Sequence, residues 1–169
     1  MSKSTSGVVS VEFNRPADTT AYTAKDAISN STSAPSVLTF ANITHDWSQA
    51  GYITKARIMT NKATWASTNA AVFKLHLFHE APTAINDNSP YTLLFANRTR
   101  RIGTITFSAL STEGTGSDCA NTIWTGALYF ESKESNNTIY GLLEVDSFSG
   151  TLTPDSAQTF YIELSADCA

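Results

Sequence analysis

The chain has 169 residues (18.2 kDa), a formal net charge of −4 and a pI near 5.2, with 15% charged residues and about a quarter Ser and Thr. That length suits one domain with an ordinary hydrophobic core, and the acidic balance argues against general nucleic-acid binding, which needs a basic stripe. No window approaches the ~18 consecutive apolar residues of a membrane span, and so few charges among so many hydroxyls predict a neutral surface of strands with exposed Thr rows.

Taken in order, residues 8–13 alternate, with Val9, Val11 and Phe13 on one face, and predict a first strand after a polar leader. The leader lacks an apolar h-region, so an unsecreted product is expected. Arg15-Pro-Ala-Asp18 ends that strand. Residues 21–24 read as a short strand, residues 25–28 as a single helical turn, and residues 30–35 as a Ser/Thr-rich loop. Strands follow at 37–40, 52–60 and 71–79. The last is the most regular, with Phe73, Leu75 and Leu77 on one side and Lys74 and His76 on the other. Further strands are predicted at 92–96, 102–107, 123–130, 139–145 and 159–164, separated by Gly, Pro, Asn, Asp or Ser clusters. No segment sustains the i, i+3, i+4, i+7 spacing of a packed helix. The expected fold class is therefore all-β, an antiparallel β-sandwich, with a jelly roll first and an immunoglobulin-like Greek-key sandwich second. Residues 1–20 are expected to supply an N-terminal arm and first strand, and residues 21–169 the body of one β-sandwich domain.

Candidate chemistry is sparse. His76, His79 and Glu80 bear ligand-type groups, but residues three apart on a strand project to opposite faces, so no shared metal is expected. His45-Asp46-Trp47 can orient a base or plug the core edge, and there is no G-x-S-x-G elbow. Glu131, Glu134, Glu144 and Asp146 are carboxylates of the kind a glycosidase pairs. Trp65, in a polar 64–69 loop, is a sugar-stacking candidate weighed against burial. Four Asn sequons, at Asn30, Asn42, Asn97 and Asn136, fit an Asn- and Thr-rich composition. Cys119 and Cys168 are expected as free thiols. No catalytic residue, cofactor or metal is assigned, and a non-enzyme is expected. The one dense basic spot is Arg98, Arg100 and Arg101. It reads as a solvated turn or as an anchoring patch, since guanidinium binds carboxylate in a bidentate fork.

The blocks FNRPADTTAY at 13–22, VLTFA at 37–41, LHLFHEAPTAINDN at 75–88, YTLLFAN at 91–97, RIGT at 101–104 and FYIELS at 160–165 span nearly the whole chain. On them the chain resembles a family of small tailed-bacteriophage proteins similar in type to capsid decoration or cement proteins. The resemblance implies a β-sandwich virion protein on the capsid exterior, made in the host cytoplasm, that binds between major capsid protein subunits as a homo-oligomer, a trimer being one arrangement. No nucleic-acid or membrane partner is implied. The N-terminal arm with Arg15, and the turn with Arg98, Arg100 and Arg101, are the expected partner contacts. A tail-fibre or receptor-binding head domain recognising host glycans is the alternative.

Overall fold

A computed structural model describes residues 5–44, 50–132 and 137–168. Nine strands follow in chain order: β1 Thr5–Asn14, β2 Ala27–Ile28, β3 Leu38–Phe40, β4 Ala50–Thr60, β5 Val72–Phe78, β6 Arg101–Thr106, β7 Ala120–Glu131, β8 Ile139–Ser147 and β9 Thr159–Cys168. A single turn of helix, α1 Thr64–Ser67, joins β4 to β5. Among the described residues no helix is long and apolar enough to cross a membrane.

The strands form two antiparallel sheets, one in the order β1-β9-β4-β7 and the other β2-β8-β5-β6, with β3 also paired to β8. They pack face to face as a β-sandwich, the class that the alternating pattern predicts. In the first sheet the inward rows run Val11, Ile162, Ile58, Thr122 and then Val9, Leu164, Ala56, Trp124. In the second, Phe73 lies opposite Val145 and Leu75 opposite Leu143. These side chains meet in one core. Gly51 shows how tightly β4 lies on β9, because a Cβ there would stand 2.7 Å from the Asp167 carbonyl oxygen.

Three local expectations are corrected by tertiary contacts, and the choice left open at Trp65 is decided for burial. Residues 21–24 contribute only the bridge between Tyr22 and Leu152. The turn expected at 25–28 is absent: Lys25 has φ of 76° and Ala27–Ile28 pairs with β8. Residues 92–96 are not a strand but an exposed stretch entering a 3-10 turn at Phe95–Asn97. Trp65 is fully buried, its indole N–H donating to the Thr153 carbonyl at 3.1 Å. Its ring stacks on Phe73 at 5.8 Å and meets Phe160 at 5.7 Å, so it anchors the core and is not free to stack on a sugar.

The two outer faces differ. That of the β2-β8-β5-β6 sheet is crossed by the connection between β5 and β6, residues 79–100, whose Tyr91 covers His76. Among the described residues, the outer face of the β1-β9-β4-β7 sheet is bare except near Asn121, where Ser111 and Glu113 bond to it.

Candidate functional site

The connection at 79–100 exceeds the ~12–15 residues beyond which an irregular segment is usually functional or disordered, and this one is tied down at its base and along residues 87–91. It is closed at its base by the His79 N–H donating to the Arg100 carbonyl at 2.7 Å. Its far side runs along β2: Ala27 N–H donates to Ser89 O at 2.8 Å, Asn88 N–H to Ala27 O at 3.0 Å, and Tyr91 N–H to Lys25 O at 2.7 Å.

Beneath it lies a buried polar anchor. Arg15, Tyr22 and Asp87 are 2%, 4% and 3% exposed. Arg15 Nη2 donates to Asp87 Oδ2 at 2.7 Å and Nε to Tyr22 Oη at 2.9 Å, while the Tyr22 hydroxyl donates to Asp87 Oδ1 at 2.7 Å. Ser29 N–H adds a fourth bond, to Asp87 Oδ1 at 2.9 Å. Burial, and then the neighbouring carboxylate of Asp87, push the Tyr22 phenol far above its ordinary pKa, so it remains a donor. This corrects the expectation that Arg15 meets a partner: its guanidinium is spent inside the molecule.

A second anchor fixes the return path. The Tyr91 ring stacks on His76 at a centroid distance of 4.0 Å and 10° between planes. His76 Nε2 lies 2.5 Å from Glu144 Oε2 and Nδ1 lies 3.0 Å from Thr104 Oγ1, whose oxygen also accepts from Arg101 Nη2 at 2.6 Å. A neutral His76 completes a one-way chain of donors, Arg101 to Thr104 to His76 to Glu144. Burial holds the His76 pKa below its ordinary value even though Glu144 pulls it upward. Burial likewise pushes the Tyr91 phenol up to about 12. Beside them Asp146 takes Lys74 at 2.7 Å and also Lys25. Burial opposes its ionisation, yet these two cations hold its carboxyl below the usual range.

Held by these anchors, the connection displays consecutive apolar side chains. Leu93 is 40% exposed, Leu94 46% and Phe95 79%. Arg98 flanks them, its guanidinium 4.2 Å from the Phe95 ring centroid and donating to the Phe95 carbonyl at 3.0 Å. Arg100 pairs with Glu80 at 3.2 Å. Among the described residues neither Arg98 nor Arg101 has a carboxylate within ion-pair distance. Of the three arginines of the predicted basic spot, Arg98 flanks this apolar ridge, while Arg100 is bonded to Glu80 and Arg101 to Thr104. The ridge itself escaped the sequence reading. Its available signal was an apolar triplet without period-2 alternation, just ahead of the arginines.

The remaining candidates are scattered. His79 lies past the end of β5, near the Glu131 carbonyl at 2.5 Å, while His76 is locked to Glu144. Among the described residues no three His, Cys, Asp or Glu side chains are grouped to hold a metal ion. His45-Asp46-Trp47 and Glu134 lie outside the described residues. Cys119 and Cys168 are both free thiols. A groove of about 230 Å³ opens beside β1, β2 and β3, lined by Val11, Phe13, Ile28 and Leu142, with Glu12 as its one titratable group. No family model matches this chain, and no curated protein matches it.

Proposed function

We propose that this chain is a virion structural protein of a tailed bacteriophage, decorating and stabilising the capsid by binding between major capsid protein subunits on its exterior. The observation that carries the reading is the ridge of Leu93, Leu94 and Phe95 flanked by Arg98, with Arg101 following on β6. An exposed apolar triplet is costly to leave in water, and a pinned connection loses little further entropy when it docks. Arginines with spare donors suit a partner with carboxylates around an apolar hollow. The resemblance in the sequence blocks supplies the setting.

We read the strand order as a jelly roll, a common scaffold of capsid proteins. The reading is supported by the order of strands: from β6 onward successive strands alternate between the two sheets, and among the described residues β5–β6 is the one pair of consecutive strands that are also neighbours within a sheet. A protein that binds the assembled shell better than its free subunits stabilises that shell by linkage. Many copies on a lattice multiply a modest contact.

The test is the copy number of this protein in purified particles relative to the major capsid protein, together with binding of variants to capsids. Copies in the hundreds support the decoration role; about a dozen or fewer favour a tail or fibre position, and absence rejects a virion role. Phe95→Ser and Arg98→Glu are each expected to weaken capsid co-sedimentation at least about tenfold. Their melting temperatures should stay near the wild-type value, since Phe95 is 79% exposed.

A further inference from the structure

The geometry points to a second copy of this chain as the occupant of the bare outer face of the β1-β9-β4-β7 sheet. This inference rests on different residues from the ridge and does not depend on the virion reading. Val8, Tyr52, Ile123 and Tyr129 on this face are 64%, 50%, 47% and 48% exposed. Tyr52 and Tyr129 pack edge to face at 5.5 Å.

The outward rows, read from the registers, are Glu12, Tyr161, Met59, Asn121; then Ser10, Glu163, Arg57, Ile123; then Val8, Ser165, Lys55, Thr125; and finally Asp167, Tyr52, Tyr129. Charge is sorted by strand. The central strand β4 carries the cations, Lys55 and Arg57, and its neighbour β9 carries the anions, Glu163 and Asp167. Arg57 gives Glu163 one donor, Nη2 at 3.1 Å, and its Nε has no acceptor. Among the described residues, Lys55 and Asp167 have no ion-pair partner.

That sorting selects one arrangement. A twofold axis parallel to the strands, between β4 and β9, lays each β4 over the partner's β9. Arg57 then faces the opposite Glu163, and Lys55 lies between the opposite Glu163 and Asp167. An axis perpendicular to the strands would instead set Arg57 against Lys55. The favoured axis also lays β7 over the opposite β1, bringing the Ile123 and Thr125 region against the surroundings of Val8. Such an interface is self-complementary, each patch meeting its own counterpart, and aligned sheet packing accommodates it. Four strands of about ten residues offer on the order of 600 Å² per copy. That sits at the lower edge of specific interfaces, so a dimer that dissociates on dilution is expected.

Sedimentation velocity of the full chain across a dilution series tests this. The expected result is a monomer–dimer equilibrium whose dissociation constant rises about tenfold or more in Lys55→Glu, because the new carboxylate meets Glu163 and Asp167 of the other copy. The double variant Lys55→Glu/Asp167→Lys should recover most of that loss, and Phe95→Ser should leave the equilibrium unchanged. Circular dichroism confirms that each variant is folded. A wild-type monomer at every concentration, a dimer indifferent to Lys55→Glu, a failed rescue, or loss of the dimer in Phe95→Ser would each overturn the proposal.

Discussion

His76 sits on the outward side of β5, where a residue ordinarily meets water, yet it is 6% exposed because Tyr91 lies flat over it. Its neutral form fits the donor chain that begins at Arg101. A protonated ring would turn Nδ1 into a second donor toward Thr104 and leave the threonine hydroxyl proton seeking an acceptor. With its folded pKa below the unfolded value of 6.5, His76 binds a proton more readily in the unfolded chain. The stability it contributes is therefore complete above pH 6.5 and is lost as the pH falls from there toward the folded pKa. Asp146 has the same sign in a lower window: its contribution is present above its usual pKa of 3.8 and is lost only in stronger acid. Urea unfolding at a series of pH values between about 7.5 and about 5 should show the midpoint falling, with a shallower fall in His76→Asn. Equal slopes in the two proteins would refute the assignment.

Among the elements, the connection at 79–100 depends on contacts that are remote in sequence. Asp87→Ala would deprive the buried Arg15 guanidinium of its buried counter-ion, leaving only the partly exposed Asp18 at 3.4 Å, at a cost of about 3 kcal/mol. The urea midpoint should drop accordingly. Amide exchange at Ser29, which donates to Asp87, should accelerate. Replacing both partners, Arg15→Met with Asp87→Leu, should cost less than the single change. The same contact explains why this part of the molecule was hard to read from sequence. Arg15 looks like a surface cation because the carboxylate that is buried with it, Asp87, lies 72 positions away, while its near neighbour Asp18 is a partly exposed partner. The triplet at 93–95 looks like a strand because an apolar run does not disclose whether it is buried or displayed. By contrast, β4, β5 and β8 were legible, since alternation or continuous apolarity maps directly onto sheet faces. Arg98, Arg100 and Arg101 were legible as a basic spot, but their apolar neighbour was not.

At the scale of the whole molecule, the sandwich class followed from strand count, turn punctuation and the lack of helical periodicity. The strand order did not, because pairing is decided by which faces fit after the chain has crossed between sheets. The result is two sheets with opposite fates, one roofed by its own connection and one open. Within the open sheet, β1 pairs with β9 from Thr5 opposite Cys168 to Asn14 opposite Thr159, and β9 in turn pairs with β4. A chain ending at Gln158 would leave β1 and β4 without their shared neighbour, and it is expected to lose the cooperative thermal transition of the full chain in calorimetry. The pairing also imposes a schedule on synthesis. Strand β1 leaves the ribosome without its partner, because β9 is made on the order of ten seconds later at ordinary elongation rates. Closing so long a loop makes folding slow. Throughout that interval the uncharged, β-prone stretch of β1 around Val8, Val9 and Val11 is an open edge, so crowding of nascent chains, more than instability of the finished fold, should limit the yield of this protein.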